Sequence, residues 1–597
     1  MTAMSSLRLG AAAAMAGSRR GNLTVRMSFR AMSTSQKAPD NPDERIALAA
    51  ELKPIHDVLA DRVKITDPDS YALYGRYKAK LDVNFAKQPA KGKLVLVTAL
   101  TPTKAGEGKT CTSVGLADGL NKLPDTTAIA ALREPSLGPV FGVKGGAAGG
   151  GYAQVVPMAD INLHFTGDLH AISTAHNLLS AMIDNHIQWN AKPQLDVRRV
   201  EWGRVLDMND RALRNVTLGL GGTGDGVPRQ SFFDITVASE VMAIFCLATD
   251  LEDLKTRLGN IVVGYTRGGK EAVTCRDIGA EGAMTALLKD AFNPNVVQTL
   301  EHNLAVIHGG PFANIAHGCS SVVGTRAALA LSDYVVTEGG FGADLGAEKF
   351  FDIKCRKAGL APSAAVIVAT VRALKLHGGV DAKELTTENT QAVRDGMPNL
   401  LRHIENVAKF GVESVVSINR FPTDTEAEIQ VVKDLCKELG VDAVVAEQWQ
   451  HGGEGALELA KAVQGLCDKA DTSKFKPLYP DEMPLVDKIS TIATELYRAK
   501  GVDISKEALT KLKRFQKDGY GHLPVCIAKT QYSFSDDASL VNAPEGHTLH
   551  VQDVRLAAGA EFVVVLTGSV MTMPGLPKRP SALDITVNEN GQISGLF

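Results

Sequence analysis

The chain contains 597 residues, of which 45% are hydrophobic and 22% are charged, and its formal net charge at pH 7 is −3. A chain of this length exceeds what one hydrophobic core holds, so we expect about three domains. The nearly neutral charge and the lack of a long Lys/Arg run exclude nucleic-acid binding as the main activity, and no apolar stretch is long enough to make a membrane the partner.

The first 39 residues differ in composition from the rest of the chain. They contain five arginines and several serines, and the first acidic residue is Asp40. This composition is typical of an organelle transit peptide that is disordered or cleaved. It predicts a mitochondrial location, with a plastid as the alternative, or the cytoplasm if the leader is not functional. The eight cysteines are scattered, which favours a reducing compartment.

Residues 94–123 read as a buried strand, a glycine-bearing loop and a helix. Glycines in the loop allow successive backbone N–H groups to converge on one anion, and Lys109 and the helix N-terminus add positive charge. The hydroxyl of Thr110 can hold the Mg²⁺ that accompanies a nucleotide. Thr103 replaces the leading glycine of the common phosphate-loop pattern, but the segment fits the variant K-[AG]-G-x-G-K-[ST]. We therefore predict a nucleotide-binding loop formed by Thr103, Lys104, Ala105, Gly106, Glu107, Gly108, Lys109 and Thr110.

A second apolar strand, residues 126–132, ends in Arg133 and Glu134. Both side chains are expected at the carboxyl edge of a parallel sheet, where open α/β folds bind ligands, so Arg133 is a candidate phosphate or carboxylate contact. Residues 138–151 are too rich in glycine for regular structure, and we expect a mobile flap near the phosphates, in which Lys144 can reach an anion. Asp168 precedes a helical pattern and is placed to cap that helix.

Three later strands end in, or lead into, residues that are candidates for a functional role. One ends at Glu338, an acidic residue that can orient a metal-bound water, and two in the last third lead into Phe421 and Trp449. Trp449 stands beside two glycines, so its ring is a candidate flat wall for a planar ligand. Core packing is the competing use of such a ring.

With these segments identified, the sequence closely resembles the formate–tetrahydrofolate ligase family, also called 10-formyltetrahydrofolate synthetases, over nearly everything after the leader. The motifs that carry the resemblance lie at residues 101–110, 133–139, 144–152, 160–168, 308–314, 421–424 and 571–577. One departure is Lys104, where other members often carry proline. The dehydrogenase and cyclohydrolase regions of the fused eukaryotic versions are not found, so the chain resembles the monofunctional form.

The resemblance implies an ATP-dependent ligation of formate to tetrahydrofolate through formyl phosphate. In that reaction Lys109 and Arg133 are the catalytic residues that offset the negative charge of the phosphate and formate oxygens. Asp168 is the third candidate catalytic residue, and we expect it to accept a proton from the attacking amine because it lies next to the predicted flap. The resemblance also implies that Phe421 and Trp449, with Tyr152 nearby, bind the folate rings. Further implied features are adenine contacts in the turn from Gly309 to Asn314, Mg²⁺ bound with ATP, a monovalent cation (K⁺ or NH₄⁺) and a homo-oligomer.

We therefore predict an α/β protein with a phosphate-loop nucleotide-binding domain, a mainly parallel sheet and two smaller α/β domains. The nucleotide-binding domain comprises residues 40–150 and 300–400, an inserted domain comprises 151–299, and a C-terminal domain of 401–597 contributes the folate site. Two alternatives remain at this stage. One is a switch-type phosphate-loop nucleotidase that acts on a protein or metal partner, and the other is a ligase for a larger carboxylic acid.

Overall fold

The computed structural model describes residues 41–104, 106–143, 148–268, 271–568 and 570–596. The predicted leader, Ala105 of the predicted nucleotide loop and Lys144 of the predicted flap lie outside these residues. The described chain is a mixed α/β protein built around one large sheet, as the sequence predicts at this level.

The large sheet has twelve strands among the described residues. In chain order they are β1 (Tyr71–Leu73), β2 (Ala79–Leu81), β3 (Lys93–Ala99), β4 (Ala128–Leu132), β5 (Gly149–Gly150), β6 (Ala153–Val156), β7 (Asn295–Thr299), β8 (Leu304–Ile307), β9 (Tyr334–Glu338), β10 (Ala364–Ala369), β11 (Ser414–Asn419) and β12 (Ala443–Ala446). Their order across the sheet is β1-β2-β7-β8-β4-β9-β3-β10-β11-β12, and β6 pairs with both β7 and β5. The run from β8 to β12 is parallel, and the pairs at the other end are antiparallel.

The parallel strands are covered on both faces, which explains their continuous apolar sequence. Every residue of β4, β9 and β10 is buried, and in β3 only the first residue is partly exposed. Because these strands run in the same direction, their carboxyl ends lie at one edge of the sheet. The side chains that follow β3, β4, β9, β10 and β11 therefore meet there, which is where such folds bind ligands.

The described residues also form nineteen α-helices. In chain order they are α1 (Pro42–Ala49), α2 (Ile55–Val63), α3 (Lys109–Leu120), α4 (Leu137–Phe141), α5 (Met158–Asn162), α6 (Asp168–Gln188), α7 (Glu240–Leu247), α8 (Leu251–Gly259), α9 (Cys275–Ile278), α10 (Glu281–Leu288), α11 (Val322–Leu331), α12 (Arg356–Ala358), α13 (Val371–His377), α14 (Thr390–Ala408), α15 (Glu426–Glu438), α16 (Gln448–His451), α17 (Leu457–Lys469), α18 (Leu485–Glu495) and α19 (Lys506–Lys517). No helix in the described part of the chain combines the length and apolar character needed to cross a lipid bilayer.

The remaining strands form small sheets. The two three-stranded sheets comprise Leu195–Val200, Val262–Thr266 and Ala272–Thr274, and Val525–Ala528, Asp553–Ala557 and Phe562–Leu566. Two-stranded pairs join Arg204–Leu206 with Phe233–Ile235, Val216–Leu218 with Arg229–Ser231, Gly501–Ile504 with Thr548–Val551, and Thr586–Val587 with Ile593–Ser594. Strands β11 and β12 belong to the large sheet although they follow the boundary expected at residue 401, and the domain division stays a prediction.

The stretch 138–151 contradicts the expectation that it lacks regular structure. It overlaps helix α4 and ends in strand β5 among the described residues. Helix α4 begins where it does because Asp207 accepts hydrogen bonds from the Ser136 hydroxyl (2.5 Å) and the Leu137 backbone N–H (2.9 Å). A distant carboxylate therefore stabilises a segment whose own side chains offer little packing.

Candidate functional site

The predicted nucleotide loop joins β3 to α3, as expected from the sequence. Gly106 and Gly108 both have positive φ angles, 77° and 80°, which side chains other than glycine rarely adopt. Gly108 has a second reason to be glycine, because a Cβ atom there would lie 2.5 Å from Nδ2 of Asn419. Lys109 and Thr110 are the first two residues of α3, and Lys104 is exposed to solvent. The loop thus presents its backbone and Lys109 at the helix N-terminus.

Within the predicted loop, the Glu107 side chain is directed toward the protein interior. Its side chain is buried and accepts hydrogen bonds from the Thr103 backbone N–H (2.8 Å) and the Thr370 hydroxyl (2.5 Å). The carboxylate therefore points into the protein and ties the loop to the end of β10. Glu107 stays part of the predicted nucleotide loop, and its carboxylate holds that loop in shape.

Glu338 connects the loop with Arg133. The Thr110 hydroxyl donates a hydrogen bond to one Glu338 carboxylate oxygen (2.8 Å), and Nη2 of Arg133 lies 3.3 Å from the other. The Glu338 side chain is 4% exposed and that of Arg133 is 26% exposed, so the guanidinium keeps one side open. Because β9 lies between β4 and β3, its last residue stands between the two cationic parts of the site.

The donor set at this point fits Mg²⁺. A hydroxyl and a carboxylate are hard oxygen ligands, and Mg²⁺ is usually bound by one or two carboxylates together with substrate phosphates. No group of three or more His, Cys, Asp or Glu residues able to hold a metal is found within the described ranges. The arrangement at Thr110 and Glu338 is therefore suited to a cation that arrives with a nucleotide.

The turn after β8 lies beside Arg133. The Glu134 backbone N–H donates to the carbonyl of Gly309 (2.8 Å), and a Cβ atom at Gly340 would lie 3.2 Å from Nη1 of Arg133 and 2.4 Å from Cβ of Ala313. Asn314 lines a cavity of about 590 Å³ together with residues from the segment 529–571. The structure therefore places Gly309, one of the two predicted adenine contacts, next to the residue that follows Arg133, and it places Asn314, the other, at the wall of that cavity.

Asp168 does not cap its helix. The N-cap position of α6 is Gly167, and the Asp168 carboxylate instead pairs with the ammonium group of Lys80 (2.8 Å) and accepts from Nδ2 of Asn295 (2.6 Å). Both charged side chains are almost completely buried, at 1% and 3% exposed. Burial, and after it the negative charge of Asp168, raises the pKa of the neighbouring Glu134 well above its ordinary value.

The aromatic residues lie at the ends of neighbouring strands. In the pair β11–β12, Asn419 is opposite Ala446, so Phe421 and Trp449 both follow at the carboxyl edge. Trp449 is 38% exposed and Tyr152 is 52% exposed, and the Tyr152 backbone N–H donates to the Trp449 carbonyl (2.9 Å). The structure therefore brings Tyr152 and Trp449 together and leaves both rings accessible.

Trp449 is held in place by an acidic residue near the start of the described chain. Its indole N–H donates to the Asp43 carboxylate (2.9 Å), which also accepts from the Gly151 backbone N–H (2.6 Å). A Cβ atom at Gly151 would overlap the Trp449 carbonyl and ring. The glycine turn thus allows the indole to pack closely against the backbone.

Two buried side-chain amides link these aromatics to the predicted nucleotide loop. Nε2 of Gln448 donates to Asn419 Oδ1 and to the Thr112 hydroxyl, both at 3.1 Å, and Nδ2 of Asn419 donates to the Glu107 carbonyl (3.1 Å). Gln448 and Asn419 precede Trp449 and Phe421 by one and two residues. Sequence reasoning missed both amides, although Asn419 ends a predicted strand at the ligand edge and its position was a usable signal.

The comparisons with known proteins cover almost all of the described chain. The family model described as "Formate–tetrahydrofolate ligase" matches residues 41–597. A protein of that name from Granulibacter bethesdensis is 61% identical over 558 residues, covering 93% of this chain and 97% of its own length. Those from Maricaulis maris (61% identical, 93% and 100% covered) and Pelagibacter ubique (58% identical, 93% and 99% covered) bear the same name.

These findings change one prediction and remove one alternative. The relatives are bacterial enzymes, which contradicts the location predicted from residues 1–39, so the mitochondrial location is wrong. The switch-type nucleotidase receives no support, because the match extends over the aromatic residues of the last third as well as the loop. On the family match and on these identities, the chain belongs to the formate–tetrahydrofolate ligase family.

Proposed function

We propose that this protein ligates formate to tetrahydrofolate with ATP, giving 10-formyltetrahydrofolate, ADP and phosphate. The observation that carries the proposal is the common sheet edge shared by the loop, Arg133 and the aromatic pair Phe421 and Trp449. Gln448 and Asn419 join the two halves by buried hydrogen bonds. A nucleotide phosphate and a planar acceptor can therefore be held side by side.

The first half-reaction joins two anions. A formate oxygen attacks the γ-phosphorus of ATP, the bond to the β,γ-bridging oxygen breaks, and ADP leaves as formyl phosphate forms. Repulsion between negative oxygens is the main obstacle, and phosphoryl transfer depends mostly on positioning and electrostatic stabilisation. We assign the binding of phosphate to the loop amides and Lys109, and the binding of formate and the transferred phosphoryl group to Arg133.

The second half-reaction uses the same anion site. N10 of tetrahydrofolate attacks the formyl carbon, the bond from carbon to the phosphate oxygen breaks, and phosphate leaves into the cradle that held it. N10 also loses a proton. Asp168 is the proposed acceptor, and its buried pair with Lys80 is the observation that opposes this role, because both oxygens of the carboxylate already have partners.

Four further features belong to the proposal. Mg²⁺ would be held at Thr110 and Glu338 with the phosphates of ATP, where it would supply positive charge. Phe421 and Trp449 would bind the folate rings, with Tyr152 at the rim. A requirement for K⁺ or NH₄⁺ and a homo-oligomeric assembly remain predictions from the family.

ADP release by the purified protein tests this function. We expect release that depends on both formate and tetrahydrofolate, and its loss in R133A with an unchanged circular dichroism spectrum. The control R579A removes an exposed arginine whose partner is Asp584, and it should retain full activity. ADP release without either substrate, or with a larger carboxylic acid in place of formate, would contradict the proposal.

A further inference from the structure

Arg372 lies against one of the proposed folate-binding rings. It is the second residue of α13, and its guanidinium carbon is 3.6 Å from the centroid of the Phe421 ring. At this distance the cation is attracted by the electrons of the ring face. The guanidinium plane is thereby placed beside Phe421, while the hydrogen-bond donors at its edge are left for other partners.

Those donors have no protein partner among the described residues. Arg372 forms no hydrogen bond or ion pair with another part of the described chain, and its Nε atom is buried without a partner. Arg420, immediately before Phe421, behaves differently and pairs with Glu426 (2.7 Å) and Glu447 (3.5 Å). An arginine that stays unpaired beside a ligand site is suited to receive an anion.

Asp424, an acidic residue in the turn that carries Phe421, is directed elsewhere. The Asp424 carboxylate accepts a hydrogen bond from the Phe421 backbone N–H (2.9 Å), so it closes the turn after β11. Burial raises the pKa of Asp424, and Arg372 is the weakest of the groups that counteract this shift. The turn therefore uses the Asp424 carboxylate, and no ion pair joins Asp424 to Arg372 among the described residues.

The backbone places Arg372 at the boundary between the two halves of the site. Thr370, two residues earlier, binds the Glu107 carboxylate of the nucleotide loop, and Phe421 lies on the other side. An oxyanion bound to Arg372 would therefore belong to a substrate already in the site. The planar fork of donors matches two oxygens of one carboxylate or phosphoryl group.

We propose that Arg372 binds an oxyanion of a substrate at the folate wall, and this inference rests on the function proposed above. Two sources carry that chemistry, namely the glutamyl-tail carboxylates of tetrahydrofolate and the phosphoryl group in transit. The position against Phe421 favours the tail. Arg372 is thereby a binding residue that determines how tightly the folate is held.

The test compares R372Q, R372K and R420A. Glutamine keeps a planar group against Phe421 and removes the charge, and lysine keeps the charge without the fork. R420A removes a paired cation from the residue that precedes Phe421 in sequence. We expect R372Q to raise KM for tetrahydrofolate about tenfold to hundredfold, because hydrogen bonds to charged groups are worth that much, with KM for ATP unchanged. R372K should recover part of the loss, and R420A should resemble the wild type.

Two additional measurements identify the source of the anion. If the tail is bound, tetrahydropteroate, which lacks the glutamate, should have the same KM with the wild type and with R372Q. If the phosphoryl group is bound, inhibition by inorganic phosphate should weaken in R372Q while tetrahydropteroate still distinguishes the two proteins. Unchanged KM and unchanged phosphate inhibition in R372Q would overturn the inference. Failure of the wild type to require formate and tetrahydrofolate would instead overturn the proposed function.

Discussion

The buried pair of Lys80 and Asp168 leads to the most informative prediction, because it decides between a structural and a chemical role for the aspartate. In D168N the Lys80 ammonium loses its carboxylate and keeps only the carbonyls of Ala291 (3.2 Å) and Asn293 (2.9 Å). Removal of one partner from a buried pair costs about 3–5 kcal/mol. We therefore expect D168N to lower the free energy of unfolding by that amount, seen as a lower urea midpoint.

The double variant K80M/D168N provides the matched control. It removes both charges, and replacement of a whole buried pair by apolar or neutral groups is close to neutral or stabilising. We expect it to recover most of the lost stability, with an interaction energy of about 2 kcal/mol or more in the double-mutant cycle. Formyl transfer per folded molecule is measured in the same samples. A D168N protein of normal stability that has lost formyl transfer would refute the structural role and favour the base.

Three further predictions concern the loop and its helix. G108A should raise the Kd for ATP, measured by calorimetry. An alanine in the left-handed conformation of Gly108 costs about 1–2 kcal/mol, and its Cβ would lie 2.5 Å from Nδ2 of Asn419. Equal affinity would be inconsistent with this loop geometry. E338Q should raise the Mg²⁺ concentration for half-maximal activity with the fold retained, and an unchanged requirement would remove Glu338 from the cation site. Asp118, whose pKa burial and then Glu301 raise from 3.8 to about 7, should make stability fall as pH rises from about 4 to about 7, because the folded state holds the proton more tightly. In D118N the urea midpoint should depend less on pH in that window. The same pH dependence in D118N and the wild type would contradict the raised pKa of Asp118.

The parts of the site that follow buried parallel strands could be predicted from the sequence. Strand β3 is a continuous apolar run, and helix α3 after the glycine loop has apolar residues at helical spacing, so the two elements are distinguishable in the sequence. The apolar run of β4 ends just before Arg133. Position at the end of such a strand is enough to place a side chain at the ligand edge. The same rule placed Glu338 at the end of β9, and Phe421 and Trp449 shortly after the ends of β11 and β12.

Features that depend on distant partners could not be predicted. Lys80 pairs with Asp168, which is 88 residues away in sequence. The Glu107 carboxylate points inward and accepts a hydrogen bond from Thr370, which follows β10. A local pattern contains neither partner, so helix capping and nucleotide contact were the natural expectations. The pairing of β11 with β10, across the boundary expected at residue 401, likewise depends on packing rather than on composition.

The central claim is that one edge of the sheet holds the triphosphate between Lys109, Thr110 and Arg133 while the folate lies on Phe421 and Trp449. A crystal structure with Mg²⁺, a non-hydrolysable ATP analogue and tetrahydrofolate tests it most directly. We expect the γ-phosphate within hydrogen-bond distance of the loop amides and Lys109, and the pterin against the two rings. A triphosphate bound away from Lys109 would contradict the account.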